Sequence, residues 1–208
     1  MTTAALVLFV VYLVGGFVVR TLLQWRRTGD TGFRGISGHI GTSPWWAGVL
    51  FAAALIAGFL GPVAALMGLP ALPGLDRPAV QGLATLSAVA GIVATFITQA
   101  AMGTSWRIGV EPGERTTLIT SGPFAWVRNP IFTAMAVTGA GLAFMVPNAV
   151  AVAGLTLLLV ALELQVRVVE EPYLIQTHRT AYTAYAAATG RFIPGLGRLT
   201  PLTKMETK

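Results

Sequence analysis

The chain contains no cysteine. That excludes disulfides, thiolate zinc sites and cysteine nucleophiles. Charge is scarce as well: Asp, Glu, Lys and Arg make up 11% of the 208 residues, against roughly 25% in a soluble domain. Acidic residues are the rarer sign, 8 against 14 Lys and Arg, which leaves a formal charge of +6. In so apolar a chain this balance points to basic loops facing an anionic membrane surface, not to nucleic acid. His39 and His178 stand alone, form no metal-ligand pattern and suit solvated roles. No low-complexity segment, clear repeat or second soluble domain interrupts the sequence.

What fills the chain is hydrophobic: 54% of residues, with mean hydropathy +0.71. This is the composition of an integral membrane protein. A membrane-crossing helix needs about 20 mostly apolar residues. The runs from Ala4 to Leu23, Trp46 to Leu69 and Val80 to Met102 qualify; Pro130 to Val146 is shorter, and a fifth run extends from Ala149 to about Val169. The first has no basic residue before it, and Arg20, Arg26 and Arg27 follow it, so it reads as a retained span rather than a cleaved signal. Only Pro147 and Asn148 separate the last two, which predicts a tight helical hairpin. Pro130 suits the first turn of its helix, where a missing N–H does no harm. The fold expected is all-α: a polytopic membrane helical bundle of about five transmembrane helices. One integral domain comprises three N-terminal spans (1–102), a core (103–195) and a tail (196–208).

Basic residues collect on one side. The first loop holds Arg26, Arg27 and Arg34 with Asp30; the third holds Arg107, Arg115 and Arg128 against Glu111 and Glu114. The tail adds Arg179, Arg191, Arg198, Lys204 and Lys208, whereas the second loop has only Asp76 and Arg77. By the positive-inside rule the N-terminus lies outside and the tail in the cytoplasm, as in a bacterial inner membrane. Glycines in membrane helices mostly permit close packing, so "GAG" at residues 139–141 reads as a helix contact; no strand precedes it to make a nucleotide fingerprint.

Two polar stretches break the apolar pattern. In "LELQVRVVEEPYL", Glu163, Arg167, Glu170 and Glu171 share one helical face. A structural Glu163–Arg167 pair with interfacial carboxylates accounts for part of this. Two adjacent carboxylates at a helix end repel each other and the helix dipole, and a cationic ligand relieves both. In "GPFAWVRNPIF", Arg128 offers a planar donor for a carboxylate or phosphate beside a helix start that favours anions. Snorkelling of Arg128 to lipid phosphates is the plainer alternative. Together the two stretches fit a zwitterion, its anion near Arg128 and its cation near Glu170 and Glu171. After Pro172 an amphipathic helix carries Tyr173, Tyr182 and Tyr185 to a C-cap at Gly190 and a stiff "RFIPGLG" turn. The tyrosines read either as interface anchors or as part of a lid over a polar pocket.

The order "GPF..VRNP.F.A", hairpin, "EE..L", "Y..Y" and "RFIP" over about residues 100–195 resembles the integral membrane methyltransferases. These include isoprenylcysteine carboxyl methyltransferases and phospholipid N-methyltransferases. The resemblance implies S-adenosylmethionine as cofactor, enclosed at the cytoplasmic ends of the last spans. It implies an acceptor that is a lipophilic small molecule or lipid arriving from the bilayer. Arg128, Asn129 and Pro130 stand at the family's Arg-His-Pro positions, Glu170 and Glu171 at its Glu-Glu, and Arg191, Phe192, Ile193 and Pro194 at its Arg-Phe-Ile-Pro. On this basis Arg128, Asn129, Pro130, Glu171, Tyr182, Tyr185 and Arg191 to Pro194 bind the cofactor, while Glu170 and Asn129 serve the acceptor chemistry. The chain departs from the pattern at Asn129 for histidine, Phe132 for tyrosine and Ala134 for glycine, so a titrating base is missing at position 129. A nicotinamide-dependent membrane reductase of the sterol-reductase type and a non-enzymatic helical protein or small transporter are the alternatives. The basic residues are not clustered for a 2′-phosphate, and the polar residues lie at one end of the bundle rather than the midplane.

Overall fold

The computed structural model describes residues 1–109 and 117–200. Glu111, Glu114, Arg115, Lys204 and Lys208, used above to orient the chain, lie outside the described residues. Secondary structure is almost wholly helical. Helix α1 (Thr2–Leu13) runs through a π-helical turn, Val14–Val19, into α2 (Arg20–Thr28). Then come α3 (Ser43–Leu66), α4 (Pro78–Met102), α5 (Pro130–Met145), α6 (Ala149–Leu164) and α7 (Glu171–Ala188). Four continuous helices are long and apolar enough to cross a membrane: Thr2–Thr28, Ser43–Leu66, Pro78–Ser105 and Ala149–Ala188. The fifth, α5, has 16 residues, about 24 Å of helix against a hydrocarbon core of roughly 30 Å.

Small residues decide which helices pair. A Cβ on Gly141 would lie 2.3 Å from the backbone N of Ala88, and one on Gly91 2.6 Å from that of Thr138, so α4 and α5 run antiparallel in backbone contact. Gly61 against Ala151 and Gly154 against Gly58 bring α3 and α6 together in the same way. The hairpin at Val146–Asn148 therefore joins two helices that each pack along a different partner. Asn148 secures it: its Oδ1 accepts from Ala151 N at 3.0 Å, and its Nδ2 donates to Gly61 O at 2.9 Å. Helix α1 lies along α4, where Gly15 admits the Phe96 ring and Gln99 Nε2 donates to Gly16 O. It also crosses α3, with Phe9 against Gly58.

Two expectations change at the last helix. Pro172 does not begin a separate helix, because α6 passes into α7 through the π-helical turn Gln165–Glu170. A wide turn leaves room for a ring that would collide with the preceding carbonyls in a regular α-helix. The apolar stretch still ends near Val169, but Glu170 and Glu171 do not sit at a helix C-terminus, so no dipole acts against them there. The break falls later, at Arg179, whose φ of 47° is left-handed. Gly190 is no helix cap either. The helix ends on Thr189, and Gly190 is needed for space, since a Cβ would lie 2.1 Å from Ile193 O.

Helix directions put residues 20–42, 103–109, 117–129 and 165–200 at one end of the bundle, and the 67–77 loop with the Pro147 turn at the other, joined by Leu72 N to Pro147 O. Reporter fusions at residues 35 and 200 should therefore report one compartment and a fusion at 75 the opposite one. Reporters at 35 and 75 on the same side would mean that α3 does not cross.

Candidate functional site

Every polar sequence candidate lies at the end carrying the C-terminal turn. A 3-10 turn, Gly122–Ala125, brings the chain to Val127, which bridges to Gly190. Arg128 N then donates to Gly190 O at 2.8 Å and Asn129 N to Arg191 O at 3.1 Å. The Asn129 side chain does not cap α5. Its Nδ2 donates to Arg191 O at 3.2 Å, and Thr133 Oγ1 donates to Phe192 O at 2.8 Å. The turn closes on itself through Arg191 N to Leu196 O and is tied to α7 by Leu199 N to Ala186 O. The segment 127–133 thus holds the RFIP turn along its length. Pro130 is buried at the first position of α5, while Ile193 and Pro194 face outward.

Arg128 is the centre of this contact. Only 5% exposed, it donates through Nη1 to Ala186 O (3.0 Å) and Thr189 O (2.6 Å), and through Nη2 to Gly197 O (3.1 Å) and Glu171 Oε1 (2.6 Å). Arg191 completes the group, with Nε to Oε1 at 2.8 Å and Nη2 to Oε2 at 2.9 Å. Both oxygens of Glu171 are taken by two guanidinium groups. Donating to Glu171 raises the Arg191 pKa against the lowering effect of burial. Planar forks matched to a carboxylate and converging carbonyls make this an arginine site that lysine cannot copy. Arg128 and Asn129 hold the protein's own tail. Of the Arg128 nitrogens, Nε is buried with no partner among the described residues.

The tyrosines divide. Tyr182 is buried beside Tyr185, ring centroids 6.2 Å apart, and Tyr185 Oη donates to Phe124 O at 2.5 Å. These two fasten α7 to the 122–128 turn. Tyr173 faces elsewhere: the Arg107 guanidinium lies 5.5 Å from its ring centre, and Nη2 donates to its hydroxyl at 3.4 Å. Glu170, three residues before Tyr173, is half-buried beside Gln165 and Arg107 and does not join the Glu171 group. Adjacent carboxylates point apart because the helix turns about 100° per residue. Glu163 and Arg167 pair with each other on the exposed helix face.

Sequence reasoning missed Arg107, Thr133, and the pair Arg20 and Gln24. Arg20 is buried over the Trp106 ring at 4.6 Å and donates to Gly103 O, and Gln24 Nε2 donates to Thr104 O. Their i, i+4 spacing just past an apolar run was the available signal. A crevice of different character lies deeper, among α1, α3, α5 and α6, lined by Phe9, Tyr12, Gly58, Met135, Thr138 and Leu158. It is apolar and apart from the charged end.

An all-α bundle with membrane-length helices and a polar cluster built at one end defines a polytopic integral membrane protein. The family model of the phospholipid methyltransferases matches residues 80–181, just under half of the chain. That stretch runs from α4 into α7 and contains Arg128, Asn129, Glu170 and Glu171. No curated protein and no solved structure matches the chain.

Proposed function

We propose that the protein transfers a methyl group from S-adenosylmethionine to a lipid-like acceptor at the membrane–cytoplasm interface, with its N-terminus outside. The observation carrying this reading is the Arg128–Glu171–Arg191 group, which folds the RFIP turn over the start of α5 and leaves Glu170 beside it as a second, separate carboxylate. The residues present fit a zwitterionic cofactor with a cationic centre. Glu170 is a half-buried carboxylate outside the Glu171 clamp, and Arg128 Nε is a buried donor without a partner among the described residues. Arg128, Asn129, Pro130, Glu171, Tyr182, Tyr185 and Arg191 to Pro194 form the cofactor's walls, several of them by holding the tail in place. When bound, the cofactor supplies an activated methyl group.

The chain's own residues do the rest. The closed turn excludes water, and a rigid wall holds the acceptor's nucleophile in line, which is where most of the acceleration in such a displacement arises. An amine or hydroxyl acceptor must lose a proton, and Glu170 takes it; a carboxylate acceptor needs no base. Asn129 substitutes a neutral amide for a titrating ring, so it orients and does not accept the proton. The apolar crevice among α1, α3, α5 and α6 suits the acceptor's tail.

Calorimetry with S-adenosylhomocysteine tests the first half of the proposal: well-folded protein in nanodiscs should bind it, and absence of binding would sink the methyltransferase reading. Glu170→Gln tests the second. It should leave that affinity within about twofold and cut methyl transfer to an amine or hydroxyl acceptor by roughly 10²-fold or more.

A further inference from the structure

The crevice among α1, α3, α5 and α6 contains one polar group that the fold itself does not use. Tyr12 lines it together with Leu55, Met135, Thr138, Gly139 and Leu158. The residue is 5% exposed, and its hydroxyl has no hydrogen-bond partner among the described residues. Its polar neighbours inside the bundle are placed differently. Thr95, Thr98 and Thr138 donate to Gly91 O, Ala94 O and Ala134 O, Gln99 to Gly16 O and Asn148 to Gly61 O, all at 2.8–2.9 Å. Packing does not account for the hydroxyl either. The Tyr12 ring meets Phe17 edge-on, centroids 6.0 Å apart, and clusters with Ile92, Met135 and Leu162. Phenylalanine would make all of those contacts. A hydroxyl held among lipid-level side chains with nothing to donate to is costly, which points to a partner from outside the chain.

We infer that Tyr12 is the polar anchor of a lipid-binding crevice: its hydroxyl donates to a neutral carbonyl oxygen carried on the acceptor's apolar chain. This rests on the reading of the crevice as the place of the acceptor's tail. The lining sets the chemistry. Among the described residues no charged side chain borders it, so a carboxylate, phosphate or ammonium would enter without a counterion. Thr138 Oγ1 already donates within its own helix, which leaves Tyr12 as the donor. A ketone or ester offers it an acceptor and stays soluble in hydrocarbon. Position fixes where along the chain that oxygen sits. Tyr12 clusters with Met135, five residues into α5 and about 8 Å along its axis from Pro130 at the polar end. The lining continues to Ala143, about 12 Å further, near the hairpin that Asn148 fastens to Gly61. The occupant therefore has its carbonyl at the polar end of the crevice and about 12 Å of hydrocarbon beyond it.

The probe is methyl decanoate, isotope-labelled at its carbonyl carbon, with undecane as the oxygen-free match. Infrared difference spectra between protein-filled and empty nanodiscs should show a carbonyl band lowered in frequency by a hydrogen bond. Tyr12→Phe should lose that band while the protein stays folded. In equilibrium binding with tritiated probes, the same variant should hold the ester roughly 3- to 10-fold more weakly and undecane unchanged. Leu55→Trp fills the crevice from α3 with Tyr12 intact and should also abolish the band, so it decides if Tyr12→Phe does not fold. A band that persists in either variant overturns the inference. So does its absence from wild type, the result expected if the hydroxyl serves only water. Neither measurement needs the cofactor: protein that holds the ester but not S-adenosylhomocysteine would sink the methyltransferase reading and leave the crevice assignment standing.

Discussion

Glu171→Ala should dismantle the site, not merely empty it, with a loss of stability of about 3–5 kcal/mol. The glutamate side chain is 8% exposed and that of Arg128 1%. Removing the carboxylate leaves two guanidinium groups facing each other with no anion between them, one in a setting almost without water. Breaking a buried ion pair from one side costs far more than the pair's net contribution, because the remaining charge is still desolvated. The loss should propagate, since Arg191 is the first residue of the turn that Asn129 and Thr133 hold from the other side. Freed from Glu171, Arg191 should become a trypsin site. Glu171→Gln keeps the shape and loses the charge, so it should fall between wild type and alanine. Unfolding in mixed micelles measures the first effect, and limited proteolysis with mass spectrometry the second. If Glu171→Ala unfolds within about 1 kcal/mol of wild type and Arg191 stays protected, the clamp is not what holds the tail. A variant of wild-type stability that fails only to bind S-adenosylhomocysteine would make Glu171 a ligand group instead.

The same geometry explains which parts of the site were legible beforehand. "RNP", "EE" and "RFIP" were read as one site, and the structure gathers them at one end of the bundle. Their partners could not be read. A sequence shows that Arg128 and Glu171 are opposite charges 43 residues apart, but not that the tail brings three carbonyls and a second arginine to the same place. An arginine paired with its own chain and one awaiting a ligand look identical until those acceptors are located. The spans were visible because apolar length is a one-dimensional property. The continuity of α6 and α7 was not, because proline normally ends a helix and a π-helical turn leaves no signal of its own. Arg107 was hidden for another reason: it sits among turn residues, and what aims it at Tyr173 is a bridge to Gly32 and Arg34, more than seventy positions earlier. The choice of α4 for α5 and α3 for α6 was also silent, since all these helices are apolar on most faces.

That pairing supplies the other large effect. Gly141→Ala should destabilise the bundle by about 3 kcal/mol, the upper end of the usual range for overpacking, and Gly141→Leu by more. In a bilayer, lipid tails are as apolar as leucine, so helices associate through close packing and polar contacts, and small residues set how near two backbones come. At Gly141 the obstacle is backbone: Ala88 N at 2.3 Å, Ala88 Cα at 2.6 Å and Ala84 O at 2.7 Å from a Cβ. No rotamer change relieves that, so α4 and α5 must separate. Gly139, two residues earlier, is a matched contrast. Its nearest neighbour, at 2.6 Å, is the end of the Leu158 side chain, which can swing aside, so Gly139→Ala should cost less. Gly82 in α4 meets nothing within 4 Å, and Gly82→Ala should be neutral or stabilise by up to about 1 kcal/mol through helix propensity. Unfolding of the three variants in mixed micelles should rank them Gly82, Gly139, Gly141 in order of increasing damage. Because α5 begins at Pro130, directly after Arg128 and Asn129, Gly141→Leu should also loosen the RFIP turn and expose Arg191 to trypsin. Equal stability of the Gly141 and Gly82 variants would show that α4 and α5 are not in backbone contact, and the position assigned to Arg128 at the head of α5 would fall with it.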